Sequence, residues 1–173
     1  MKTTNPWARF LLIAGYITML IGAIDPMEGS LLILPGSGLV ALGTYFSDEQ
    51  RSIFIFRLWA FILILIGVGA LFGFTMVGGI GDDSGYSGWW ALLILPYPIG
   101  WSMGIWGPGS PRWVLWTGIV VGAWYLFLPI LMNMISGAEW MKEFGIVGVL
   151  LAAMGIITIS GCIYRLRQGK AIQ

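Results

Sequence analysis

Acidic side chains are the main candidates for chemistry in this chain of 173 residues, which contains no histidine and a single cysteine. Without histidine, the chain cannot form a Ser-His or Cys-His pair, a histidine metal site or a histidine-ligated haem. Cys162 cannot form an intramolecular disulfide or a CxxC redox pair. These absences disfavour an intramembrane protease, a disulfide oxidase and a histidine-based electron carrier.

Four carboxylates in two short turn segments are the candidates for a cation site. Asp25 and Glu28 occupy the first segment, and Asp82 and Asp83 occupy the second. Clustered carboxylate oxygens bind hard cations, and the same negative charge could bind a basic partner. The alternative is that these residues cap helices and keep the turns solvated. We expect no catalytic metal and keep a cation or partner face as a hypothesis.

A second candidate site combines a proline-rich break with tryptophans that lie deeper in their segments than the others. It comprises Pro96, Tyr97, Pro98, Trp101, Trp116 and Trp124. Proline frees helix carbonyls that could bind a ligand, and the tryptophans could line a pocket for a lipid, quinone or pigment. The alternative is that Pro96 starts a helix and sets the angle of a hairpin. No ligand-type side chain accompanies the set, so we expect no cofactor.

Composition identifies the elements that must position these residues as membrane helices. The chain is 58% hydrophobic and 10% charged, whereas a soluble domain is roughly 45–50% apolar and about 25% charged. A spanning helix needs about 20 apolar residues. Six segments satisfy or approach this: Trp7–Ile24, Ser30–Phe46, Leu58–Ile80, Trp89–Trp106, Trp113–Ile135 and Phe144–Tyr164. We predict an all-α membrane bundle of six helices in one domain, residues 1–173, with an uncleaved first span.

The positions of the basic residues predict the orientation of this bundle. Cytoplasmic ends of spans accumulate Lys and Arg. With the N-terminus inside, eight of the nine basic residues lie inside: Lys2, Arg9, Arg51, Arg57, Arg112, Arg165, Arg167 and Lys170. Both termini are therefore predicted to be cytoplasmic, in a cell inner (plasma) membrane. The net charge of +1 gives no reason to expect nucleic acid as a partner.

An internal repeat groups the six segments into three hairpins, at about 7–46, 58–106 and 113–164. The pentapeptide Leu-Leu-Ile-Leu-Pro occurs at Leu31–Pro35 and again, 61 residues later, at Leu92–Pro96. Hairpins contain an even number of spans, so their copies are parallel repeats. Many carriers that work by alternating access are built from inverted repeats, so this pattern disfavours that mechanism.

Glycines at helical spacing predict close helix packing. The pairs are Gly15…Gly22, Gly69…Gly73, Gly100…Gly104 and Gly118…Gly122. Small residues let helix backbones approach each other in lipid, either within the bundle or between subunits. Arg9 and Arg57 are expected to extend toward the cytoplasmic interface, which leaves the membrane core without charge and disfavours proton coupling.

The layout resembles the HdeD-type short-repeat membrane family. The resemblance rests on the sequence from Gly15-Tyr16 to Gly22-Ala23-Ile24-Asp25-Pro26, followed by Leu39–Gly43, and on the three hairpins. It implies a bacterial inner-membrane protein linked to envelope or acid stress, with no catalytic residues to carry over.

Three function classes follow from these observations. We expect a non-catalytic membrane protein, either an accessory subunit or a self-associating module, whose partners are the bilayer and a second copy or other membrane subunits. The alternative is a membrane protein that binds or transports a lipid or small molecule without proton coupling. An enzyme is disfavoured because the spans hold no general acid or base.

Overall fold

The computed structural model describes residues 5–25, 28–47, 49–78, 88–136 and 138–171. Every regular element in these ranges is a helix, which confirms the all-α prediction for this part of the chain. The α-helices are α1 (Pro6–Gly22), α2 (Ser30–Tyr45), α3 (Arg51–Met76), α4 (Pro96–Trp106), α5 (Arg112–Ser136) and α6 (Ala138–Ala171), and a 3₁₀ helix, Gly88–Ile94, precedes α4.

Within the described ranges, three helical stretches are long and apolar enough to cross a membrane. They are Arg51–Met76, Arg112–Ile135 and Gly148–Gln168. Shorter apolar helices occupy Pro6–Gly22, Ser30–Tyr45 and Leu92–Trp106. A helix of 16 residues such as α2 is about 24 Å long, somewhat less than the roughly 30 Å of a bilayer's hydrocarbon core.

The chain forms two compact units, Met1–Gly109 and Ser110–Gln173. In the first unit, α1 and α2 pack antiparallel. Gly15 of α1 contacts Gly36 of α2, and Gly22 at the end of α1 contacts Gly29, just before α2. A Cβ atom added at Gly15 would lie 2.7 Å from the carbonyl oxygen of Gly36. Only glycine permits backbones to approach this closely.

Helices α3 and α4 form the second antiparallel pair of this unit. A Cβ atom at Gly100 would lie 2.6 Å from the carbonyl oxygen of Ala60, and one at Gly67 would overlap the backbone of Tyr97. Between the pairs, the indole of Trp101 is fully buried, and its Nε1 donates to the Met19 carbonyl oxygen of α1 at 3.4 Å. The first unit is thus a packed set of four helices.

The second unit contains α5 and α6, which are also antiparallel. A Cβ atom at Gly155 would lie 2.6 Å from the carbonyl oxygen of Gly122 and 3.1 Å from Cγ of Leu126. Tyr125 of α5 and Thr158 of α6 are fully buried. The contact between these helices therefore depends on glycine, as in the first unit.

The fourth apolar segment differs from the single helix predicted over Trp89–Trp106. It divides at Leu95 into the 3₁₀ helix and α4. Pro96 and Pro98 lack the N–H groups that an α-helix would donate to residues four positions earlier, and Leu95 donates instead to the Leu92 carbonyl oxygen. In the first copy of the repeat, Ser37 occupies the position equivalent to Pro98, and α2 runs unbroken through Pro35.

Helices α3 and α6 differ from the predicted spans at both ends, and three of these four ends lie beyond the prediction. Helix α3 begins at Arg51 rather than Leu58 and ends at Met76 rather than Ile80. Helix α6 covers Ala138–Ala171 rather than Phe144–Tyr164. The apolar pattern marks the part of a helix that fits lipid, whereas the helix itself continues into more polar sequence.

Candidate functional site

Arg57 is the most deeply buried charged side chain in the described part of the chain, with 2% of its surface exposed. It lies in the second turn of α3, on the same face as the buried Ala60, Ile64 and Gly67. Residues three, seven and ten positions apart share a helix face, so the helix directs Arg57 inward with the core. The prediction that Arg57 extends to the membrane interface was wrong.

The guanidinium group of Arg57 is held by four separate segments of the first unit. Its Nη1 donates to Oγ1 of Thr44 at the end of α2 and lies 3.6 Å from Oε2 of Glu49. Its Nη2 donates to the carbonyl oxygen of Pro108, beyond α4, at 3.4 Å. The ring of Tyr16 on α1 lies 5.8 Å from its Cζ. A buried arginine needs this density of partners because an unpaired buried charge is costly.

The α4–α5 connection lies against the ion pair of Arg57 and Glu49. Gly109 has a φ angle of +76°, a conformation that favours glycine. A Cβ atom there would lie 2.9 Å from Nη2 of Arg57 and 3.2 Å from Oε2 of Glu49. The backbone at Gly109 thus lies directly against the charged groups.

A cavity of about 10 Å³ adjoins Arg57, lined by Met19, Ser37, Val40, Arg57, Ala60 and Gly104. This volume is at the lower limit for a single water molecule. The hydroxyl of Ser37 donates to the Leu34 carbonyl oxygen at 2.7 Å and can still accept a hydrogen bond. The cavity is too small for a lipid chain, a quinone or a pigment.

The chemistry of the Arg57 cluster is that of a fixed ion pair. The guanidinium of Arg57 carries hydrogen-bond donors and no acceptor atom. The Thr44 hydroxyl donates to the Val40 carbonyl oxygen at 2.7 Å while it accepts from Arg57, so it is not oriented as a nucleophile. The cluster can hold segments of the first unit together.

The only signal in the sequence for this cluster is the spacing of apolar and small residues along α3. Ala60, Ile64, Gly67 and Val68 mark a buried face, and Arg57 continues that face by one turn. Membrane arginines near helix ends usually reach the interface, and this general tendency led to the wrong expectation.

The six residues of the predicted pocket fall into both units. Pro96 is at the start of α4, and Tyr97 and Trp101 are buried in the core of the first unit. Trp116 and Trp124 lie on α5 in the second unit, where 62% and 39% of their surfaces are exposed. Pro98, on α4, is half-buried. Helix α4 thus uses Tyr97 and Trp101 for packing.

Only part of the predicted cation or partner face lies among the described residues. Asp25 Oδ1 accepts a hydrogen bond from the backbone N–H of Glu28 at 3.3 Å, as in a capping turn. Asp82 and Asp83 lie outside the described residues. Among the side chains that are described, no group of three or more acidic or cysteine residues could hold a metal ion.

The predicted small-residue pairs fall into two groups. Gly15, Gly22, Gly100 and Gly122 meet backbone atoms of neighbouring helices, and Gly104 meets the side chain of Met19. Gly118 is buried. By contrast, no described atom lies within 4 Å of a Cβ atom built at Gly69 or Gly73. These two glycines form a face of α3 that the described part of the first unit leaves open, and we call it the α3 glycine face.

Sequence and structure comparisons leave the resemblance to the HdeD-type family as a prediction. The antiparallel pairs α1–α2, α3–α4 and α5–α6 do not test this resemblance, because such pairs occur in many helical proteins. The chain matches no protein-family model, and it has no match among the curated proteins or the solved structures.

Proposed function

We propose that this chain is a non-catalytic, multi-pass membrane protein that associates with a second copy or with other membrane subunits through the α3 glycine face. The observation that carries the proposal is the difference between Gly69 and Gly73 and the glycines packed inside the units. Inside the units, glycine permits backbone contact. On the open face of α3 the same small residues have no described neighbour, although glycine lowers helix stability by about 1 kcal/mol relative to alanine.

The setting of this face in a membrane helix strengthens the proposal. Gly69 and Gly73 lie within Arg51–Met76, which is long and apolar enough to span a bilayer. Association in lipid has little hydrophobic driving force, and small residues on one helix face supply close van der Waals contact instead. An open pair of glycines one turn apart is therefore suited to a helix from another subunit.

We further propose six spans in three hairpins, with both termini inside the cell and the acidic turns outside. The support comes from the two ends of the first unit. Arg9, Arg51 and Arg57 lie near one end, where the start of α3 meets the end of α2, and Asp25 and Glu28 lie near the other. This separation suits a cell inner membrane with basic ends facing the cytoplasm.

Cysteine accessibility tests this orientation, because the only natural cysteine, Cys162, is buried and can be replaced by serine. On intact cells, a membrane-impermeant maleimide is expected to label Glu28→Cys and to spare Gln50→Cys and Gln168→Cys. Permeabilised cells should show all three sites labelled. Labelling of Gln168→Cys on intact cells, with Gln50→Cys protected, would contradict an even number of spans.

Purification in a mild detergent, followed by native mass measurement, tests the association. The unaltered chain is expected to elute with a second copy or with other subunits, and the double variant Gly69→Leu/Gly73→Leu is expected to elute alone. The matched control Ala153→Leu adds bulk at an exposed position of α6 and should leave the complex intact. An unaltered chain that is always a monomer would contradict the proposal, and a stoichiometric bound lipid would then favour the lipid-binding alternative.

A further inference from the structure

We propose that Arg57 and Glu49 act as a latch that holds the α4–α5 connection, Gly107–Gly109, against the first unit. This connection ends where the first compact unit ends, at Gly109, and Ser110 begins the second unit. The latch would control the freedom of the segment that joins the two units. It is a conformational role, independent of the proposed association through α3.

Arg57 attaches the connection to the first unit. Its Nη2 donates to the carbonyl oxygen of Pro108 at 3.4 Å. Gly109 follows with its backbone against both Arg57 and Glu49. On the other side of Pro108, a Cβ atom at Gly107 would lie 2.6 Å from Cε1 of Phe56. The connection is therefore seated on the first two turns of α3.

The hydrogen bond that joins Arg57 to the connection is a long one. Backbone and side-chain N–H···O bonds are usually 2.7–3.2 Å long, and the bond to Pro108 is longer than that. Oε2 of Glu49, at 3.6 Å from Nη1, has no hydrogen-bond partner among the described residues. Arg57 also donates to Thr44, and that bond joins α3 to α2 without involving the connection. Loss of the Pro108 bond should therefore release the connection while α3 stays joined to α2.

Helix packing in the first unit is also supported by contacts that do not involve Arg57. The contacts of Gly15 with Gly36 and of Gly100 with Ala60 do not involve Arg57. Trp101 is likewise buried against α1 through Met19. The four helices can therefore stay packed while the connection opens, which is the property required of a latch.

The test measures the rate at which N-ethylmaleimide labels Ser110→Cys in a Cys162→Ser background, with the full chain in detergent micelles. Arg57→Lys keeps the positive charge near Glu49 but cannot donate to Thr44 and Pro108 together, because an ammonium is a compact point charge. It is expected to raise the labelling rate about tenfold, as expected when a charge-assisted hydrogen bond is lost. The matched control Arg51→Lys makes the same change at an exposed arginine of α3 and should leave the rate unchanged.

A second labelling site separates release of the connection from unfolding. Val68→Cys replaces a residue of α3 that is 1% exposed, and it should stay protected in the Arg57→Lys chain. If Arg57→Lys fails to fold, Glu49→Gln removes one charge of the pair with little change in shape and is expected to act in the same direction. An unchanged rate at Ser110→Cys in the folded variants would overturn the proposal, and so would equal exposure of Val68→Cys and Ser110→Cys.

Discussion

Replacement of Gly15 by alanine is expected to lower the free energy of unfolding by about 3 kcal/mol, at the upper end of the usual cost of overpacking. The added methyl group would lie 2.7 Å from the carbonyl oxygen of Gly36 and 2.8 Å from the backbone nitrogen of Val40. Backbone atoms of α2 cannot move aside as a side chain can, so the two helices must separate. Unfolding by SDS in mixed micelles, followed by tryptophan fluorescence, measures the change.

Gly69→Ala provides the matched control because it makes the same substitution inside another helix of the same unit. No described atom lies within 4 Å of the new methyl group, and alanine favours the helix by up to about 1 kcal/mol. The variant should be as stable as the unaltered chain or slightly more so. Equal destabilisation by the two substitutions would contradict the assignment of Gly15 to a backbone contact.

Replacement of Arg57 by methionine is expected to destabilise the protein by about 3–5 kcal/mol, the range found when one partner of a buried ion pair is removed. Methionine fills similar space but leaves Glu49 without its positive partner and Thr44 without its donor. The same unfolding experiment measures this change. Arg57→Met removes the positive charge, whereas Arg57→Lys in the latch test keeps it, so only Arg57→Met should cause a loss of this size.

Two further variants test whether the loss of stability comes from the Arg57–Glu49 pair. Arg51→Met alters an exposed arginine of the same helix and is expected to change stability by less than about 0.5 kcal/mol. Arg57→Met combined with Glu49→Gln should regain part of the loss, because no unpaired buried carboxylate remains. An effect of Arg57→Met no larger than that of Arg51→Met would show that the burial of Arg57 contributes nothing to stability.

The helices of this fold could be predicted from the sequence because lipid imposes a simple requirement. A spanning segment must be apolar over its length and satisfy its own backbone hydrogen bonds, and both properties are local. The division of the fourth apolar segment at Leu95 could also have been predicted from the sequence. Pro98 removes a second donor two residues after Pro96, whereas Ser37 stands at that place in the first copy. The spacing of two prolines was the missed signal.

The burial of Arg57 could not be predicted from the chemistry of arginine alone. Its position near the start of an apolar segment suits a side chain that reaches the interface. Whether it turns inward depends on Thr44 of α2, on Glu49 before α3 and on Pro108 after α4. The last of these lies 51 residues from Arg57 in sequence.

The role of each glycine could not be predicted from the sequence either, because it also depends on tertiary contacts. Gly15 and Gly69 have similar local sequence patterns, each with a second glycine one or two turns later. The first meets the backbone of α2 and the second meets no described atom. Spacing identifies a face on which a helix can approach closely, and only the tertiary arrangement determines which faces are already occupied.

Site-specific photocrosslinking in native membranes tests most directly the claim that the α3 glycine face binds a protein partner. A photoreactive residue is placed at Gly73, and the matched control places it at Ile17, an exposed residue within α1. We expect crosslinks from position 73 to a second copy or to another membrane protein, and crosslinks to lipid alone from position 17. Crosslinks to lipid alone from both positions would contradict the account.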